Sequence, residues 1–263
     1  IIADATKKVI YKMATQTFRS ITKSIFLSVL ILLLCGCFST PRHNIIGTNG
    51  YGWDKTPETN IRIIQDLQVN DLRVRQVRKN SATCKSGYKD HIELQGPIGP
   101  DSTRILERIF DSLPKCIKEN GRRVVNMVYL ASGGGLLADG FTMGNLFRKV
   151  GVQAKVAGEA TCASSCAIAF LGAKYREMDP EASLIFHAPY TLSNSSSWVD
   201  LATTKSIVCS DRGQVADLKN YYFKMLGAND GRFLLDRTLD YCSRSEGWTI
   251  NRDASKLFGL TND

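Results

Sequence analysis

Short apolar runs alternate with segments of helical period from His91 to the end of the chain. Residues 91–94, 124–130 and 183–187 are expected strands, and three glycines follow the second of them after Ala131 and Ser132. Asp101 is a candidate N-cap for a helix, because apolar side chains recur behind it at helical spacing. Strands separated by helices favour a buried, parallel sheet with right-handed crossovers. We therefore predict an α/β fold, a mostly parallel sheet with flanking helices.

The remaining segments of this region fit the same alternation. A second helix is expected over residues 136–150 and should stop at Gly151, and a further strand over 152–156. The small-residue segment 158–169 leads into another helix, and residues 199–243 favour two helices after a polar loop. Residues 60–90 mix apolar and basic positions, and their hydrophobic periodicity does not favour either helix or strand.

The N-terminal region carries a targeting pattern. Residues 24–34 form an uncharged apolar run of 11 residues preceded by Arg19 and Lys23. A transmembrane helix needs about 20 such residues, so the pattern is typical of a secretory signal peptide, with an uncleaved anchor helix as the alternative. Leu34-Cys35-Gly36-Cys37 looks like a lipobox. We predict a signal peptide over 1–36 with its true start at Met13, lipid on Cys37, a tether over 37–60 and a domain over 61–263.

This pattern predicts a lipid-anchored protein on the periplasmic or extracellular side of the cell envelope, with Phe38 after the cysteine favouring the outer membrane. Residues 1–36 hold five of the 34 Lys and Arg and one of the 25 Asp and Glu. Residues 37–263 therefore have only a modest net positive charge, and they contain no dense basic tract. Nucleic acid is thus not an expected partner.

Six cysteines remain beyond the lipobox, which favours disulfides in an oxidising compartment. They are Cys84, Cys116, Cys162, Cys166, Cys209 and Cys242. The sequence does not select among their pairings. No CxxC pair and no histidine cluster occurs, so no zinc or other metal site is expected.

Three ordered segments carry a resemblance to a known family. They are Val128-Tyr129-Leu130-Ala131-Ser132-Gly133-Gly134-Gly135, Cys162-Ala163-Ser164-Ser165-Cys166-Ala167, and Met178-Asp179-Pro180 followed by Ile185-Phe186-His187-Ala188-Pro189. Together they resemble the proteolytic subunit of Clp protease and its crotonase-fold relatives. The chain is most similar to secreted Clp-like proteins with a Cys-Ala-Ser-x-Cys turn. The resemblance implies a Clp-protease-like, crotonase-like fold over residues 91–190.

The resemblance implies Ser164 as the nucleophile and His187 as its base. Ser164 fits the family's Ala-Ser-x-small pattern, whereas Ser165 fits only without the preceding alanine. A serine hydroxyl needs a base to take its proton. A helix start offers free N–H groups for an oxyanion, which we expect from Ser165 and from Gly135.

Two further features of the site are less constrained. Glu246, before Gly247 and Trp248, matches the layout of the family's acidic residue, with Asp240 as the alternative. Cys162 and Cys166 flank Ser164 at four-residue spacing, within disulfide range if a helix begins there. They form either a bridge that rigidifies the turn or two small side chains packed in a core.

These residues favour an extracytoplasmic, membrane-tethered serine hydrolase, an ATP-independent Clp-like peptidase acting on peptides or proteins. No ATP site is expected, because the glycines at 133–135 lack the lysine of a phosphate-binding loop, and no cofactor is predicted. The family forms rings, so the resemblance implies a homo-oligomer. The alternative is a catalytically inactive crotonase-fold lipoprotein used for binding or envelope structure. Two further hypotheses for the function are less well supported by the sequence: a hydrolase with a serine–lysine dyad that uses Lys174, and a coenzyme A-dependent crotonase.

Overall fold

The computed structural model describes residues 61–193, 206–209, 211–243 and 246–262. The chain divides after residue 43 into two units, and every described residue belongs to the second. The predicted signal peptide, the tether and the lipidation site Cys37 lie outside the described residues. Among those described, no helix has both the length and the apolar character needed to cross a bilayer.

A six-stranded sheet forms the centre of the described domain. Its second half, from the third strand on, is parallel as the alternation predicts, whereas the first three strands pair antiparallel. Residues 60–90, which the sequence left unassigned, supply this antiparallel part. In spatial order the strands are β1 (Ile61–Val69), β2 (Leu72–Asn80), β3 (Tyr88–Gln95), β4 (Met127–Ala131), β5 (Gln153–Val156) and β7 (Tyr175–Met178).

A smaller sheet continues from the carboxyl end of β4. Ser132 pairs with Cys162 beyond the end of β4 and thereby joins the two sheets. In the smaller sheet one pair is parallel and one antiparallel, and a separate antiparallel hairpin follows it in sequence. The smaller sheet has the order β11 (Trp248–Ile250), β8 (Ser183–Phe186), β6 (Thr161–Ala163), and the hairpin is β9 (Tyr190–Ser193) with β10 (Ser206–Cys209).

The helices fall close to their predicted positions. The predicted stop at Gly151 is confirmed: this residue caps its helix with a φ of 74°, which glycine adopts without strain. Asp101 occupies the N-cap position but does not cap with its side chain, which instead accepts a bond from Arg104. The helices are α1 (Ser102–Ser112), α2 (Leu137–Val150), α3 (Ser165–Gly172), α4 (Arg212–Leu226), α5 (Ala228–Leu239) and α6 (Arg252–Leu257).

Two glycines allow α2 and α3 to pack with their backbones in close contact. A Cβ at Gly140 would lie 2.7 Å from the Ser165 carbonyl oxygen, and one at Gly144 would lie 3.2 Å from the Ala169 Cα. The Gly172 backbone lies against Gly144 in turn. This packing fixes the N-terminus of α3, where the candidate nucleophile lies.

The six cysteines of the domain form three disulfides, and the structure selects one of the pairings that the sequence left open. Cys84 is joined to Cys116, Cys209 to Cys242, and Cys162 to Cys166. The expectation of two helices over residues 199–243 is confirmed by α4 and α5, but Cys209 belongs to the short strand β10.

Candidate functional site

Ser164 occupies the turn between β6 and α3 with an unusual backbone conformation. Its φ is 55° and its ψ is −124°, the combination found at the first central position of a type II′ turn, where glycine dominates. A side chain in such a region costs about 1–3 kcal/mol, and such strain clusters at functional sites. The Ser164 N–H donates to the Ile185 carbonyl at 2.8 Å, and its own carbonyl accepts from Ile168 at 3.0 Å.

Of the two arrangements left open for Cys162 and Cys166, the structure has the disulfide bridge, with 5.2 Å between the two Cα atoms. Both cysteines are fully buried. The bridge spans Ser164 from the last strand residues to the first helical turn, so it holds the strained residue from both sides.

The two neighbouring serines have different environments. Ser164 is half-buried, whereas Ser165 is fully buried and its hydroxyl has no hydrogen-bond partner among the described residues. Ser165 is the first residue of α3, where backbone N–H groups lack an intrahelical acceptor. Ser164 is thus the more exposed of the two serines, and the Ser165 N–H lies at the start of α3.

The glycine turn after β4 contacts Ser164 through Gly134. A Cβ at Gly134 would lie 2.6 Å from the Ser164 Cβ and 3.2 Å from its Oγ, so only glycine permits this approach. The Gly134 N–H donates to the Ser132 hydroxyl at 3.0 Å. The run of three glycines is visible in the sequence, but the role of Gly134 is not, because its contact with Ser164 depends on tertiary packing.

Gly135, the predicted oxyanion donor, lies one residue further along. The Gly134 carbonyl and the Leu136 N–H bond the Ile98 backbone on one side of this segment. Gly135 lies between these two residues, and in a parallel bridge such a middle residue directs its own N–H to the side of the strand that faces away from the bonded partner. The Gly135 N–H is therefore directed away from Ile98.

His187 follows the last residue of β8, directly beside the serine turn. Ala163 and Ile185 are register partners in the parallel pair of β6 and β8, so Ser164 and His187 both extend from the carboxyl ends of neighbouring strands. In this conformation no hydrogen bond joins the described side chains of Ser164 and His187. Catalytic hydrogen bonds of unliganded enzymes are often long and tighten only when substrate binds.

The His187 ring is held in one tautomer by the backbone. Its Nδ1 lies 2.9 Å from the Ala188 carbonyl oxygen, which can only accept, so Nδ1 carries the proton and Nε2 keeps its lone pair. Burial lowers the pKa of His187 below its ordinary 6.5, since it disfavours the charged imidazolium. The Tyr190 ring lies alongside, with 5.5 Å between ring centroids. A neutral imidazole with a free Nε2 is the form that a general base requires.

The structure does not bring either candidate carboxylate to the imidazole. The Glu246 side chain is exposed, and within the described part of the chain Nδ1 is bonded to Ala188 rather than to Glu246. Gly247 packs on Phe186 and brings the chain past the end of β8. Asp240 caps α5 and pairs with Arg237 at 3.5 Å. The role of Glu246 as the third residue of a catalytic triad stays a prediction, and no described contact supports it.

A metal could not be held by any cluster within the described ranges, where no three His, Cys, Asp or Glu side chains come together. The groups at the site are therefore a hydroxyl, an imidazole and backbone N–H donors. Such a set can perform acyl transfer through a serine ester.

No protein-family model and no curated protein matches this chain. Solved structures with a similar backbone include a mutant of a membrane-bound stomatin-specific protease, at 11% identity and a TM-score of 0.47 over 65% of this chain and 75% of that one. A ClpP from Listeria monocytogenes is 15% identical, with a TM-score of 0.45 over 65% and 87%. The ClpP catalytic domain of Plasmodium falciparum is 15% identical, with a TM-score of 0.45 over 65% and 81%.

The conformation of Ser164 generates a stability prediction. Ser164→Gly and Ser164→Ala both remove the hydroxyl, but only glycine adopts a φ of 55° without strain. We expect the full chain with Ser164→Gly to be more stable than with Ser164→Ala by about 1 kcal/mol, after the greater flexibility of unfolded glycine is allowed for. Urea unfolding measures this difference, and an alanine variant as stable as the glycine variant would contradict the strain.

Proposed function

We propose that this protein is a serine hydrolase, an ATP-independent peptidase tethered to the membrane outside the cytoplasm. The observation that carries the proposal is the geometry of Ser164. It is a strained serine at a helix start, in contact with a glycine turn and adjacent to a strand-end histidine in the tautomer of a base. Backbone strain of this kind clusters at functional sites, which favours a catalytic role for Ser164 over a purely structural one.

In the proposed reaction Ser164 Oγ attacks the scissile carbonyl while its proton passes to His187 Nε2. The tetrahedral oxyanion is held by the N–H groups of Ser165 and Gly135. When this intermediate collapses, the carbon–nitrogen bond breaks and His187 gives its proton to the leaving amine. Water then attacks the serine ester by the same route, which releases the acid and restores the hydroxyl.

The Ala188 carbonyl has part of the role that a carboxylate has in a triad. It fixes the imidazole tautomer, which accounts for much of the effect of the acidic residue. It adds no full negative charge to stabilise the imidazolium. In this conformation the proposed pair of Ser164 and His187 is oriented by a backbone oxygen, and a carboxylate from Glu246 stays a prediction.

Peptides or proteins are the proposed substrates, and the ordered resemblance of the three motifs to the Clp proteolytic subunit supports this choice. The same resemblance supports a homo-oligomer. The apolar run before Cys37 and three disulfides in the domain support a location in an oxidising compartment.

A fluorophosphonate probe tests the nucleophile without knowledge of the substrate. We expect the full chain to be labelled without added nucleotide, and labelling to be lost in Ser164→Ala. Ser165→Ala, the matched control, removes a buried and unbonded hydroxyl and should keep it. His187→Ala should slow labelling by about 100-fold or more. A folded protein that does not react with the probe would instead favour a catalytically silent binding module.

The pH dependence tests the role of His187. Only the neutral imidazole can accept the serine proton, and burial lowers its pKa. Hydrolysis should therefore be at its plateau at pH 7 and fall only as the pH drops through a midpoint below 6.5. Tyr190→Ala opens the ring to water and should move this midpoint up toward 6.5. Profiles of kcat/KM against pH measure both, and a wild-type midpoint above 7 contradicts the assignment.

The proposed anchor is tested by labelling cells that express the full chain with an alkyne fatty acid. Acyl groups should be incorporated into the wild type and into the matched variant Cys35→Ser, but not into Cys37→Ser, because the lipobox directs lipid to the second cysteine. Incorporation that persists in Cys37→Ser would remove the proposed anchor and leave the hydrolase assignment unaffected.

A further inference from the structure

Two loops at one end of the six-stranded sheet are held together as a single lobe. Residues 81–87 connect β2 to β3, and residues 114–124 precede β4. A disulfide joins Cys84 of the first loop to Cys116 of the second, with 5.1 Å between the two Cα atoms. The backbone N–H of Lys85 also donates to a carbonyl of the second loop at 2.8 Å. Side chains on the two loops therefore share one small surface.

The second loop contains a tight hairpin that its sequence favours. Lys118 and Arg122 lie opposite each other, since the Lys118 N–H donates to the Arg122 carbonyl at 2.9 Å. The turn between them is closed by a bond from the Gly121 N–H to the Lys118 carbonyl, and Gly121 has a φ of 78°. Three-residue hairpin loops typically need such a left-handed residue at their last position, where glycine fits without strain. The hairpin thus presents Lys118 and Arg122 side by side.

The two loops form a basic lobe. They contain one carboxylate, Glu119, which is exposed. Within the part of the chain that the structure describes, none of their basic side chains forms an ion pair. Burial and the nearby charge of Lys118 lower the pKa of Lys89, at the start of β3. The basic residues, all of them exposed, are Lys85, Lys115, Lys118, Arg122 and Arg123.

Elsewhere on the same sheet, basic side chains are paired with carboxylates. Arg75 lies 2.7 Å from Glu93, and Lys155 lies 2.6 Å from Glu177. Like charges held close together repel each other, and in the basic lobe a disulfide and backbone bonds hold them there. An anionic partner would compensate this charge.

The basic lobe lies at the end of the sheet opposite to the serine–histidine site. Its loops precede the first residues of the parallel strands β3 and β4. The glycine turn follows the last residue of β4, and the smaller sheet that carries Ser164 and His187 continues from there. The strand β4 alone separates the two ends by about 16 Å of extended chain. A surface bound to the basic lobe would therefore leave the site open on the far side.

The chain enters the described domain at the same end as the basic lobe. The first residue of β1, Ile61, is paired near the end of β2, just before the first loop begins. The predicted tether over 37–60 therefore joins the domain beside the lobe. Ile61 and Ile63 are 41% and 49% exposed, so apolar side chains lie near this point of entry.

We infer that the basic lobe binds the surface of an anionic lipid bilayer, with the serine–histidine site directed away from it. The inference rests on the proposed anchor at Cys37. Because the segment 37–60 can span up to about 80 Å, the anchor by itself fixes neither the distance nor the orientation of the domain. Lipid phosphates would compensate the clustered cations, and exposed isoleucines suit an interface. The entry point of the tether favours a bilayer over a soluble acidic partner.

Lysine acetylation of the full chain in vesicles tests this contact residue by residue. One set of vesicles is phosphatidylcholine, and in the other phosphatidylglycerol replaces about a third of the lipid. Each basic residue at an anionic surface favours docking by about fivefold. We therefore expect acetylation of Lys85, Lys115 and Lys118 to be at least about tenfold slower with phosphatidylglycerol, as measured by mass spectrometry. High salt should restore the rates. Lys219, exposed on α4, should react equally in both.

A double variant tests the charge of the hairpin. Lys118→Gln with Arg122→Gln removes the opposed pair, and both side chains are exposed. In phosphatidylglycerol vesicles the remaining lysines of the lobe, Lys85 and Lys115, should react several-fold faster than in the wild type. The matched variant Lys219→Gln should keep them protected.

The anchor and the basic lobe fail in different ways. A chain that does not sediment with phosphatidylcholine vesicles contradicts the proposed anchor. Equal rates at the three lobe lysines in the two kinds of vesicle, for chain that is bound to both, would overturn the docking. So would equal protection of Lys219, because the contact would then not be specific to the lobe.

Discussion

The pairing of β6 with β8 is the constraint on which the candidate site depends. These parallel strands end together, so the residues that follow them, Ser164 and His187, are neighbours although 22 residues of chain lie between them. The bond from the Ser164 N–H to the Ile185 carbonyl extends the pairing into the turn itself. A shift of register would therefore move the hydroxyl relative to the imidazole, and the site is only as well defined as this pair of strands.

The strained turn persists because several independent interactions hold it. The disulfide from Cys162 to Cys166 links the residues on either side of the turn. Gly134 packs against the turn itself, and Gly140 lets α2 pack on Ser165, the residue that follows. Each interaction uses a small residue or a covalent link, since larger side chains would push the turn apart. Because the surrounding structure over-determines the conformation, a few kcal/mol of local strain can remain in the folded state.

Sequence reasoning predicted the parts of this molecule that depend on local pattern. The strand and helix alternation and the stop at Gly151 follow from periodicity and spacing, and the structure bears them out. Spacing alone left two arrangements open for Cys162 and Cys166, of which the structure has the bridge. The antiparallel strands β1 and β2 were not predicted, because basic residues alternate there with apolar ones on a half-exposed sheet. Glu246 was selected from its layout in the chain, but whether a carboxylate reaches a ring depends on loop geometry that spacing does not encode.

The polar face of the sheet bears on how such a fold can be stabilised. Parallel strands are usually covered on both faces and read as continuous apolar runs, yet β3 and β5 alternate strictly between buried and polar positions. On the polar side the pairs of Arg75 with Glu93 and of Lys155 with Asp179 satisfy most of the charge.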